Sequence, residues 1–395
     1  MALRYLVPAL AVAVGQAAAQ CSGTTTIQNA GDASALSTCS TYSGDIAIAT
    51  DTTDDIAIDG VRRITGSLTA KNVPEMVSLS GDSLSQIDDS FVLDNVEILS
   101  TLNFPSLSAV ETVDWIGLPN LQELSFTTGL SKVSSLSIQN TQLSNFDGIN
   151  LEEVDVMNVA NNFYLNDITM PLAYVGEALS LEANGRDVNA NFPNLQWAYN
   201  MTFRNCSSVS IPSLSSLNGS MGFYSNYFDS LSAPNLTVSG GGIAFVSNER
   251  LTNISMPSLR QVGGGLQVAN NTRLDSVDGF PRLQRVGGAI DFNGDFEDVQ
   301  LPQLDDVRGA FNLQSEQNID DACEEFRPLA GGRGSVIKGP FTCEGKLRNP
   351  GGVGSSGGSR TGSGGSSSSS GAANAVYISG ATGVMGVVAA IFGML

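Results

Sequence analysis

Apolar and polar positions in the middle of the chain follow the template apolar-x-apolar-x-x-Asn. The two apolar places sit at the strand period of two, and the sixth place holds Asn162, Asn184, Cys206, Asn226, Asn248, Asn271 and Asp295. The steps between these residues are 22, 22, 20, 22, 23 and 24. A second cue recurs along the chain: an apolar residue, Pro, any residue, an apolar residue. It appears as FPSL at Phe104, LPNL at Leu118, FPNL at Phe192 and IPSL at Ile211. It continues as APNL at Ala233, MPSL at Met256, FPRL at Phe280 and LPQL at Leu301. Three units place glycines before the strand: GGGIAFVSN, GGGLQVANN and GGAIDFNGD, starting at Gly240, Gly263 and Gly287.

Self-similarity at this period predicts one short strand per coil, stacked into a parallel sheet. The expected fold is mainly β, a right-handed parallel β-solenoid that resembles the leucine-rich-repeat pattern, in which the sixth place takes Asn or Cys. The chain must turn a corner just after the strand, which leaves peptide groups without ladder partners. A buried amide side chain supplies donors and an acceptor to them. Asn162, Asn184, Asn226, Asn248 and Asn271 are therefore expected to stack as an asparagine ladder, with Cys206 as a small buried substitute. Ten to thirteen coils fit between Cys39 and Cys323. Such a body is about 50–60 Å long at ~4.8 Å per coil. Two coils lacking the proline must lie between Pro119 and Pro171. In the unit RQVGGGLQVANN (260–271), Leu266 and Val268 are expected to point inward and Gln267 and Ala269 outward. Gly263–Gly265 are expected to allow a positive-φ turn into the strand. No P-loop lysine follows these glycines, so a phosphate cradle is excluded.

The two ends change the picture from a soluble array to an exported one. MALRYLVPALAVAVGQAAAQC places Arg4 before an apolar run and a small-residue site at Ala17–Ala19, which is the pattern of a signal peptide over residues 1–19. Residues 20–345 form the solenoid, and the Ser/Gly-rich stretch 346–371 is too polar to bury a core and reads as a flexible tether. Small residues, a spacer and an apolar tail over 372–395 match the removed signal of a glycosylphosphatidylinositol (GPI) anchor, with Gly371 the expected attachment residue and Ser370 and Asn374 its competitors. Cys21 with Cys39 and Cys323 with Cys343 are positioned to cap the two ends of an exported array by disulfides. Acceptors for N-glycans occur at Asn200, Asn205, Asn218, Asn235, Asn253 and Asn270. Strand alternation is expected to turn Asn205 and Asn270 outward.

Composition then narrows the chemistry. The chain has no histidine, which removes histidine triads and most zinc sites, and its net charge of −20 argues against nucleic acid and anionic lipid as partners. The acidic runs TDTTDDIAID (50–59) and GDFEDVQLPQLDD (294–306) read as turn residues. No catalytic, cofactor-binding or metal-binding residue is nominated.

The opening CSGTTTIQNAGDASALSTCSTYSGDIAI, the units PSLRQVGGGLQVANNTRLDSVDGFPRLQRVGGAIDF, the closing cysteine pair and the tether with its tail come in a distinctive order. In this the chain resembles the fungal GPI-anchored cell-wall organisation proteins, the sporulation-specific wall-protein family, whose ectodomains are similar to receptor L-domains. The resemblance implies a non-catalytic role in wall organisation, at the outer face of the plasma membrane or in the wall, with wall polysaccharide or other wall proteins as partners. A carbohydrate-active β-helix enzyme and a ligand-binding receptor-like module are the alternatives.

Overall fold

The computed structural model of the chain describes residues 21–332 and 334–353. Expectations on residues 1–19 and on Gly371, Ser370 and Asn374 lie outside these. Consecutive coils pair their strands in parallel from Ile46–Ile48 to Phe311–Ser315. This makes a β-solenoid of about 13 turns, at the upper limit expected from the repeat. Thr25–Ile27 extends the sheet before the array and Phe341–Glu344 after it. Between Pro119 and Pro171, the two main strands entered by return turns without a proline are Ser135–Thr141 and Glu153–Ala160.

Each coil has a main strand, a corner, a short strand on a second side, and a return turn. The return turn is the work of the apolar-Pro-x-apolar motif. Leu259 N–H donates to Met256 O at 3.1 Å and Leu283 N–H to Phe280 O at 3.1 Å. These are four-residue turns with Pro at the second place, where its fixed φ fits. Both apolar ends of the motif are buried, so one motif makes the turn and fills the core. Inside, residues at the same place in successive coils stack. The rings of Phe203, Phe223 and Phe245 lie parallel at 5.4 and 5.0 Å. The open ends of the stack are covered by short helices, Ala30–Ala35 and Asp320–Phe326. The disulfides Cys21–Cys39 and Cys323–Cys343 tie these ends down.

The corner after the main strand has two parts. The first is a residue in the left-handed region: Asn72, Asn95, Gly117, Asn140, Asn161, Ala183, Asn205, Ser225, Ser247 and Asn270. Asn and Gly enter this region most readily, which explains their recurrence at this place. The next residue turns inward. In the early coils it is apolar, Val73, Val96 and Leu118, and from Thr141 onward it is polar and bonded. Asn226 Nδ2 donates to Phe203 O at 3.0 Å and to Asn248 Oδ1 at 2.9 Å, while its Oδ1 accepts from Cys206 N at 2.9 Å. Asn248 repeats this with Phe223 O and Asn271 Oδ1, and Asn271 Nδ2 reaches Phe245 O. Asn162 donates to Ile138 O and Asn184 Oδ1, and Asn184 to Val159 O. Thr141, which the template omitted, begins the ladder by donating its hydroxyl to Asn162 Oδ1 at 2.7 Å.

Four expectations need correction. Asp295 is not a rung. The strands Ile290–Gly294 and Phe311–Ser315 run one residue further than in the preceding coils, so the corner is lost there; Asp295 stays half-exposed and accepts from Gln317 Nε2 at 2.7 Å. Gly263–Gly265 are not in the left-handed region. They are glycine because stacked coils touch backbone to backbone: a Cβ at Gly263 would strike Gly240 O, and one at Gly264 would lie 2.6 Å from Gly242 N. Ala269 lies on the outer column but is buried, its methyl in register between the larger Val246 and Asn293. Finally, Asn205 and Asn270 are displayed by the left-handed corner rather than by strand alternation.

Cys206 is 1% exposed, and burial pushes its thiol up to about 12. We expect no modification by a maleimide at pH 8 in the folded protein and one equivalent after denaturation; labelling of the native form would contradict this packing.

Candidate functional site

Most of the coil is consumed by packing, so a site must come from where the repeat departs from itself. It does so at the kink inside the main sheet. Here the register shifts between Val110 and Thr112, between Val154 and Val156, and between Val175 and Ala178. In the C-terminal half this kink is lined with the glycines just described, and the coils close on one another. In the N-terminal half the same place holds Asp88, Glu111, Ser134 and Asp155, one per coil. Side chains there hold the surface open, leaving a groove of ≈ 720 Å³.

The groove is acidic. Asp88, Glu111, Glu152, Glu153 and Asp155 line it, against Arg63 and Lys132. Arg63 is committed to Asp88: Nε donates at 3.0 Å and Nη2 at 2.7 Å, and this hydrogen bond and charge raise the guanidinium pKa further. Four carboxylates then face a single lysine. At its C-terminal end the groove meets Tyr174, whose ring lies parallel to that of Trp197, with centroids 4.3 Å apart. The two residues are register partners on adjacent strands, so the pair stacks along the solenoid axis. Trp197 covers one face of Tyr174, which is itself 44% exposed at the groove. Tyr199, two residues on, is a further exposed ring, at 43%.

The residues nominated from sequence lie elsewhere. The ladder is interior and the disulfides are at the ends. Of the acceptor asparagines, Asn218, Asn235, Asn253 and Asn270 are exposed and Asn200 and Asn205 half-buried. Asn200 Oδ1 accepts from Ser220 N at 2.9 Å and Asn235 Nδ2 donates to Pro212 O at 2.8 Å. The acidic runs are partners of neighbouring turns, as when Asp54 Oδ2 accepts from Ala30 N at 3.0 Å. The groove itself was missed, although its signal is in the sequence: acidic residues at 88, 111 and 155 and aromatics at 174 and 197 keep the coil period. Among the described residues no three of His, Cys, Asp or Glu are grouped as metal ligands would be.

A disulfide-capped parallel solenoid with an open groove on its sheet defines a repeat protein of the extracellular scaffold class. The comparisons with known proteins make this particular. The family model described as "Ecm33: GPI-anchored cell wall organization protein" matches residues 1–37. A cell surface GPI-anchored protein of Arthroderma benhamiae is 41% identical over 348 residues, covering 88% of either chain. Protein ecm33 of Aspergillus fumigatus is 39% identical, over 91% of this chain and 90% of its own. Cell wall protein ecm33 of Schizosaccharomyces pombe is 35% identical, over 84% and 78%. No solved structure matches. The chain belongs to the Ecm33 family of GPI-anchored cell wall organization proteins. Its place is the cell surface and the wall.

Proposed function

We propose that the protein organises the wall without catalysis, as a rigid spacer that presents a binding face on a flexible tether. The observation that supports this most is the architecture: a disulfide-capped stack ~58 Å long, from twelve spacings of ~4.8 Å, with an open groove on its main sheet. Repeat arrays use such extended faces for binding. Residues 1–19 act as the export signal, 346–371 as the tether, and Gly371 carries the anchor, with 372–395 removed. Glycans on the acceptors between Asn200 and Asn270 sheathe the C-terminal half. The partners are wall polysaccharide or other wall proteins.

A non-enzymatic role fits the composition and the groove together. The chain has no histidine, and the groove's Asp88 is held by Arg63. Deleting the gene is expected to sensitise cells to glucan- and chitin-binding dyes, and wild-type dye tolerance with unchanged wall composition would overturn the reading. Purified protein incubated with wall glucans is expected to release no new reducing ends; their appearance would favour the enzyme instead.

A further inference from the structure

The groove has a composition that selects its ligand. A linear polymer laid along the solenoid axis meets an equivalent position on every coil, at intervals of ~4.8 Å. Arg63, Gln86, Ala109, Lys132, Glu153 and Tyr174 mark six such coils, joined by pairings and bridges in register or by adjacent ladder bonds. At the end of this run stands an aromatic face, backed by Trp197 and therefore held flat. Such a face accepts the apolar side of a sugar ring, and its negative π-cloud attracts cations. Along the run, Glu111, Glu152, Glu153 and Asp155 outnumber Lys132, with Asp88 already neutralised by Arg63. A cleft of one sign concentrates ligands of the other, and the chain as a whole, at −20, repels polyanions. No acceptor for an N-glycan lies between residues 63 and 174, so N-linked chains leave the run clear.

We propose that this groove binds a linear glycan carrying protonated amino groups, a glucosamine-rich polymer, with a ring on Tyr174 and the amines against Glu111, Glu153 and Asp155. This rests on the scaffold reading for its setting, but the two fail separately: the dye phenotype tests the role, and direct binding tests the ligand.

The test uses the protein purified from the surface of its producing cells, titrated by calorimetry with three hexasaccharides. These are the fully deacetylated glucosamine oligomer, its fully N-acetylated form, and a neutral β-glucan oligomer. We expect the amino-sugar oligomer to bind at least tenfold more tightly than the other two. Tyr174→Ala should weaken it at least tenfold. The pair E153Q and D155N should weaken it about fivefold and flatten its salt dependence. All these side chains are exposed or at the groove surface, and an unchanged melting temperature confirms the fold; the charge pair serves if the tyrosine variant does not fold. No binding of the amino sugar, equal binding of all three, preference for a neutral oligomer, or full binding by a folded variant would each overturn the proposal. Preference for a neutral oligomer would do so while leaving the scaffold reading standing.

Discussion

Replacing Asn248 by alanine is expected to cost about 2–4 kcal/mol of stability, since the buried Asn226 N–H left unpaired costs about 1–3 kcal/mol and the loss of the second donor to Phe223 O adds about 1 kcal/mol. Asn248 is fully buried. Its Oδ1 accepts from Asn226 N at 3.0 Å and its Nδ2 donates to Phe223 O at 3.0 Å. Alanine leaves that N–H without a partner and takes from that carbonyl the donor it has beside its ladder bond. Asn248→Asp sharpens the test. It keeps the acceptor for Asn226 but sets an oxygen against Phe223 O and Asn271 Oδ1, so it should be no milder than alanine. Glu249→Ala, on the exposed neighbour, should stay within about 0.5 kcal/mol. Chemical denaturation of the three variants measures the differences; a cost near zero for both Asn248 variants would mean that the ladder is decoration rather than support.

The ladder was legible in the sequence because burial is strict and periodic. A position that is always interior and always faces orphaned peptide groups can hold few residue types, so Asn recurs there and the period can be read. The return turns were legible for the same reason, through Pro and its flanking apolar residues. What escaped was set by contact between coils rather than by the burial of each residue. Gly263 looks like a turn glycine when read along the chain, and only the stack shows that Gly240 O excludes its Cβ. Asp295 fits the template perfectly well, yet the longer strand Ile290–Gly294 carries it off the ladder. The groove is a subtler case. Asp88, Glu111 and Asp155 are far apart in sequence and unremarkable as surface acids. They become a surface only when the register shifts align them, and Tyr174 meets Trp197 only through pairing of adjacent strands. The expected anchor signal, tether and glycan acceptors, by contrast, rest on local sequence alone, the level at which the cell's machinery reads such signals.

Cys206→Asn is expected to act in opposite directions in two hosts. With a thiol at this rung, neither the Asn184 N–H nor the Leu181 carbonyl has the side-chain partner that its counterparts have one coil away. Asparagine is close to cysteine in size and would supply both, so in a bacterial periplasm, which forms disulfides without adding N-glycans, the variant should be more stable by about 1–2 kcal/mol. In a eukaryotic secretory pathway the same change writes Asn-Ser-Ser at 206–208, a new acceptor on a residue that is 1% exposed in the fold. A glycan added there before folding cannot enter the core. The other asparagine rungs avoid this conflict: Asn162, Asn184, Asn226, Asn248 and Asn271 are followed two places on by Tyr, Arg, Phe, Arg and Arg. Cysteine at 206 thus keeps a buried column free of glycan acceptors where Ser207 and Ser208 would otherwise create one. The variant should therefore be retained inside the cell with an extra endoglycosidase-sensitive chain. Adding Ser208→Ala, which removes the acceptor at the cost of one hydrogen bond to Asn189 Oδ1, should return it to the surface. Surface display at the normal level with no added glycan would sink the explanation, as would continued retention of the double variant, because the sugar would then not be the cause.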